Sequence, residues 1–322
     1  MTDGSSREMR QLRVIEQFHS LFYAPHYVAL YLDCFADEGL EVAMRTAGGG
    51  VTTTEALLDG TVDLVLGGVM RSLGVADRGG PFLPHFAEVN SRNGFFLLSR
   101  DPRPEFAWSD LVGRTVISFA EAPTPWQCML TVLRRNGVDP ARVRIERTLP
   151  VAEAIAAFRA GHGDFLETGQ PFTETLVVEG AAHLVASMGR ATGPVPFSSY
   201  MTTAGVLRDE REVVIRFTRA LYRAQRWLAR AGAADVAELI APAFPDIDAA
   251  IRLRAVARYL AQDTWAHDPI LRSPGYEALQ QILLDGGFIK RRHRYEDLVD
   301  VSIARHVADG LQEGPAGGRG RP

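Results

Sequence analysis

The sequence predicts an α/β protein of two similar units, each a mostly parallel sheet flanked by helices, followed by extra C-terminal helices. Three observations predict it. Strand-like runs alternate with helical spacing over residues 12–98, the same order repeats over about 100–190, and only helical periodicity follows residue 206. Such alternation places crossover helices between parallel strands.

Residues 12–17 (LRVIEQ) alternate as a first strand. Tyr27, Leu30, Tyr31, Cys34 and Phe35 carry helical spacing over 26–38, stopped by Gly39. Residues 40–44 form a second strand. Glycines 48–50 then turn into a helix capped by the threonines at 52–54. Residues 62–66 (VDLVL) are a buried strand ending in Gly67-Gly68, with a short helix over 69–76. Strands at 86–90 and 94–99 complete the first unit, 1–98, to which the chain returns at 196–313.

The second unit, 99–195, opens with the turn DPRPE at 101–105. It reads as a short helix at 108–111, a strand at 115–119, a proline-rich loop at 120–125 and a helix at 126–136. Strands at 143–147, 164–167 and 183–187 alternate with helices at 151–160 and 170–180. Residues 198–206 read as a returning strand. Helices follow at 209–231, 234–241, 246–262 and 274–284, and the low-complexity tail 314–322 (GPAGGRGRP) is expected to be disordered.

The 322 residues include 35 basic and 39 acidic side chains, and 46% are hydrophobic, which excludes disorder of the whole chain and suggests two domains. The net charge of −4 argues against a nucleic-acid partner. No 18-residue apolar run is present, so no membrane insertion is expected. As written, the N-terminus has no signal-peptide pattern, which places the chain in the cytoplasm, or in the periplasm or at the cell surface if a leader precedes it. Cys34 and Cys128 match no metal spacing and are expected as buried free thiols. Lys290 is the one lysine, so side-chain Schiff-base chemistry has no second candidate. Neither a G-x-S-x-G elbow nor an H-E-x-x-H motif occurs, and no cofactor or metal is expected.

In open parallel sheets, ligands bind beyond the carboxyl ends of the strands, where turns offer free N–H groups and the positive end of a helix. The turns are Tyr23 to His26, the stretch holding Gly49 and Thr52, the one holding Gly68 and Arg71, Glu121 to Trp126, and the one opening at Gln170 before Phe172. Asn90 ends a further strand. Arg71 at a helix start is unfavourable for the helix dipole, so it is either held by a ligand carboxylate or sulfonate or is a surface arginine. Trp126 and Phe172 can stack on a flat ligand or pack in the core. His26 and Glu121 are the titratable groups an enzyme would use there. Turns of this kind in two units imply a cleft that closes on a small molecule.

The stretches Ala24-Pro25-His26-Tyr27, Phe35-Ala36-Asp37-Glu38-Gly39-Leu40, Leu57-Leu58-Asp59-Gly60, Gly113-Arg114-Thr115-Val116, Ala160-Gly161-His162-Gly163-Asp164 and Gln170-Pro171-Phe172 carry a resemblance. The chain resembles the type II periplasmic-binding-protein-like superfamily. Within it, the chain is similar to the group of aliphatic-sulfonate, nitrate and taurine binding proteins of ABC transporters and the thiamine-pyrimidine synthase of yeasts. The resemblance implies a two-lobed, hinged receptor for a small anionic or heteroaromatic ligand, with an ABC permease as partner. The alternative is a cytoplasmic enzyme or ligand sensor on the same fold. The synthase's lysine position is Gly67 here, its histidine position is Arg71, and its cysteine cluster is missing, so its chemistry does not carry over.

Overall fold

A computed structural model describes residues 9–48, 52–120 and 122–312. Gly49, Glu121 and the tail at 314–322 lie outside the described residues. The strands are β1 (Arg10–Glu16), β2 (Leu40–Thr46), β3 (Leu64–Gly68), β4 (His85–Asn90), β5 (Phe96–Ser99), β6 (Thr115–Ile117), β7 (Arg144–Glu146), β8 (Phe165–Thr168), β9 (His183–Ser187) and β10 (Ser198–Met201). They form two five-stranded sheets, ordered β2-β1-β3-β10-β4 and β7-β6-β8-β5-β9.

In the first sheet β1 runs parallel to β2 and β3, and β10 lies antiparallel between β3 and β4. In the second, β6 runs parallel to β7 and β8, and β5 lies antiparallel between β8 and β9. One strand in each sheet therefore opposes the other four, and the sheets are mostly parallel with helices on their faces. This is the two-lobed α/β architecture expected from the sequence.

Four local expectations are corrected. β5, assigned above to the first unit, belongs to the second sheet. All four of its residues are buried, so it shows no alternation that would say which sheet it joins. The helix expected over 26–38 breaks at Asp33, where φ is 53°, into Ala24–Tyr31 and Cys34–Asp37. The returning strand ends at Met201, because the Thr203 hydroxyl accepts from the Val206 N–H and starts the helix Ala204–Asp209. The helix expected at 126 begins at Pro123, since proline is tolerated in a first turn whose N–H groups lack intrahelical partners.

The main core lies under the first sheet. Val214, Phe217, Leu221, Ala224 and Leu228 form a buried stripe on the helix Arg211–Leu228. Phe217 meets Tyr200 edge-on at 4.8 Å and stacks on Phe35 at 4.9 Å. Each such ring contributes roughly 1.5–3 kcal/mol by burial. Cys34 and Cys128 are both free and buried. No helix among the described residues is long and apolar enough to cross a membrane.

Candidate functional site

The carboxyl ends of β1, β2 and β3 in one lobe, and of β6 and β8 in the other, face a cleft of about 930 Å³. The first lobe supplies Gln17 to Ser20, Phe22, Tyr23, Thr46, Gly68, Met70, Arg71 and Ser198, and the second supplies Phe95, Phe119, Thr124 and Gly169 to Phe172. A third wall comes from the C-terminal region: Phe244 to Asp248, Ile251 and Tyr259. Most of the lining is apolar. Phe95 and Phe119 stack at 5.0 Å between centroids, an aromatic surface for a flat ligand.

Arg71 stands in the first turn of the helix Met70–Asp77, whose N-cap Val69 offers no side-chain acceptor. Its stem folds back beside Gly67, where an added Cβ would lie 3.8 Å from Arg71 Cδ. The guanidinium Nε is buried and unbonded, and Arg71 forms no ion pair with a carboxylate among the described residues. Burial pulls its pKa below the usual arginine value, and Tyr23 opposes that shift. The Tyr23 phenol is buried near Arg71 and Ser198, and desolvation raises its pKa, so it stays a neutral donor. The Arg71 guanidinium and the Tyr23 phenol therefore meet at the cleft, and Arg71 has no carboxylate paired with it among the described residues. The site fits an anion.

Beneath this floor, Glu16 at the end of β1 accepts from the Tyr27 hydroxyl and the Thr46 hydroxyl, each at 2.8 Å. His19 Nδ1 lies 3.0 Å from the same carboxylate. The His19 ring stacks on Phe244 at 4.6 Å, and its Nε2 donates to the Ala243 carbonyl at 2.7 Å. These contacts fasten the third wall to β1.

Of the residues singled out from sequence, Tyr23, Gly68, Arg71 and Phe172 line the cleft. His26 does not. It is fully buried, its Nδ1 lies 2.6 Å from the Tyr200 hydroxyl, and desolvation pushes its pKa down to about 3. Thr52 caps the helix Thr53–Leu58 in a capping box with Glu55, so its hydroxyl is already engaged. Asn90 donates to the Phe22 carbonyl at 2.8 Å and so holds up the loop that carries Tyr23. Trp126 packs under Arg147, 3.8 Å from the ring centroid, outside the cleft wall. Sequence reasoning missed His19, Phe95, Tyr259 and the 243–248 segment. Their sequence signals are those of ordinary core or loop residues.

Behind the second lobe's wall, Glu167 on β8 is 1% exposed and accepts from Ser118 Oγ at 2.9 Å. Burial pushes its carboxyl up to about 7. The unfolded chain releases this proton near pH 4.3 and the folded chain near 7, so stability falls as pH rises between those values and is level above. Glu167→Gln, an always-neutral mimic of the acid, is expected to gain about 3–4 kcal/mol over wild type at pH 8 and nothing at pH 4. Urea unfolding at the two pH values checks this. An equal effect at both pH values would contradict it.

Comparison with known proteins bears on the fold. YtlA of Bacillus subtilis (strain 168), named as a candidate binding protein, is 30% identical over 302 residues, covering 93% of this chain and 90% of YtlA. The alkanesulfonate-binding protein SsuA from Xanthomonas axonopodis pv. citri, solved bound to MOPS, superposes with a TM-score of 0.70 at 20% identity, covering 91% of this chain and 99% of that one. The desulfurization enzyme DszB superposes with a TM-score of 0.68 at 15% identity, over 93% of this chain and 99% of its own. These two likenesses show the fold, which a receptor and an enzyme share. Residues 17–241 match the model of the NMT1-like family, and the chain belongs to that family.

Proposed function

We propose that this chain is a solute-binding protein that closes on a small organic anion, with the anionic head on Arg71 and a flat apolar body against Phe95 and Phe119. The observation that carries the reading is the largely buried Arg71 guanidinium, which has no carboxylate partner among the described residues. A partly buried cation with no counter-charge is costly, and a ligand anion offsets that cost. A cleft of about 930 Å³ is within the range of sites that enclose organic ligands. An ABC permease is the partner this reading assigns, by analogy with the receptors the chain resembles.

Benzenesulfonate and its neutral isostere benzenesulfonamide test the reading. At about 100 times its dissociation constant, benzenesulfonate is expected to raise Tm by about 5 °C, whereas the sulfonamide leaves Tm unchanged. Equal shifts from both compounds, or chemical turnover of the sulfonate, would contradict it.

A further inference from the structure

The third cleft wall includes Tyr259, on the helix Ala249–Gln262. Its ring is buried at 1% exposure, and Gly169 stands beside its hydroxyl. That oxygen accepts the Gln170 backbone N–H at 3.2 Å. A phenol that accepts one bond still has its own proton to donate, and among the described residues this proton has no acceptor. Tyr23, the phenol next to Arg71, is close enough to interact electrostatically with Tyr259.

The same helix is fixed to the same part of the second lobe by charge. Glu174, two residues after Phe172, is fully buried, and its carboxylate accepts from Arg254 at 2.9 Å and from Arg258. The Glu174 N–H in turn donates to Gln170 Oε1 at 3.2 Å. Gln170 is therefore held on both sides, by its own side chain and by Tyr259.

We propose that Tyr259 is a ligand-contact residue whose hydroxyl donates to the bound anion while accepting from Gln170, so that occupancy tightens the second lobe onto the cleft. The inference rests on the anion-binding reading above. A phenol that donates to an anion becomes a better acceptor, so the Tyr259–Gln170 bond strengthens when the cleft is filled. Tyr259 thus selects ligands that present an acceptor toward the second lobe, and it links ligand binding to closure.

Calorimetry with benzenesulfonate on the full chain and on Tyr259→Phe tests this. The variant is expected to bind about tenfold more weakly, the loss for one hydrogen bond to a charged group. Benzenesulfonate is also expected to slow hydrogen exchange at the Gln170 amide in wild type and to leave it unchanged in the variant. Affinity within twofold of wild type would overturn the inference while leaving the anion reading intact. Absence of binding to wild type would overturn the anion reading itself. Should Tyr259→Phe fail to fold, wild-type exchange carries the test, and an unaltered rate at Gln170 overturns the inference.

Discussion

Arg71→Met is expected to abolish binding of benzenesulfonate while leaving the empty protein at least as stable as wild type. The two effects share one cause. Arg71 is partly desolvated, with its Nε buried and unbonded and no counter-charge among the described residues, so removing the charge relieves part of a burial penalty. Met keeps most of the apolar stem that lies beside Gly67. The empty variant should unfold at a urea concentration equal to or above that of wild type, a gain of about 1 kcal/mol. The ligand, by contrast, loses its charged partner inside an apolar cleft, so affinity should fall about 100-fold or more. Loss of binding together with lost stability would mean that Arg71 holds the fold and not a ligand.

Gly189→Ala is expected to destabilise the protein by about 3 kcal/mol, because it overpacks the point where both crossings between the lobes meet. An added Cβ at Gly189 would lie 2.5 Å from the Asn93 carbonyl oxygen and 2.6 Å from Gln262 Cδ. Asn93 is on the first crossing and Gly189 on the second. The Gln262 side chain joins them, donating to the Asn93 carbonyl at 2.8 Å and accepting from Ser187 Oγ at 2.5 Å. Backbone on one side and a bonded amide on the other leave the methyl no room to relax. Urea unfolding measures the effect. A change below about 0.5 kcal/mol would show that the crossings are looser than this packing requires.

The fold was legible because each crossover leaves a local mark. A strand ends in glycine or polar residues, and a helix of 3.6 periodicity follows. β3, ending in Gly67-Gly68 before the helix that carries Arg71, is the clearest case, and it led directly to Arg71. His26 was misplaced for a related reason. Six of the eight residues of Ala24–Tyr31 are buried, so no polar face distinguishes a cleft side from a core side. The sequence pattern places Trp126 at a helix start, but the helix begins three residues earlier at Pro123, which carries Trp126 nearly a full turn down from the mouth. Tyr259 and the 243–248 segment reach the cleft from chain more than 170 residues beyond Arg71. Local periodicity reports which face of an element is apolar, not which distant cavity that face closes.

On this reading the cleft takes an anion and releases it unchanged. Titration calorimetry of wild type with benzenesulfonate against benzenesulfonamide, with the sulfonate recovered and checked by NMR, tests it most directly. The sulfonate is expected to bind, the sulfonamide to bind at least about 100-fold more weakly, and the ligand to be recovered intact. Equal affinity for the two compounds, or a chemically altered sulfonate, would contradict it.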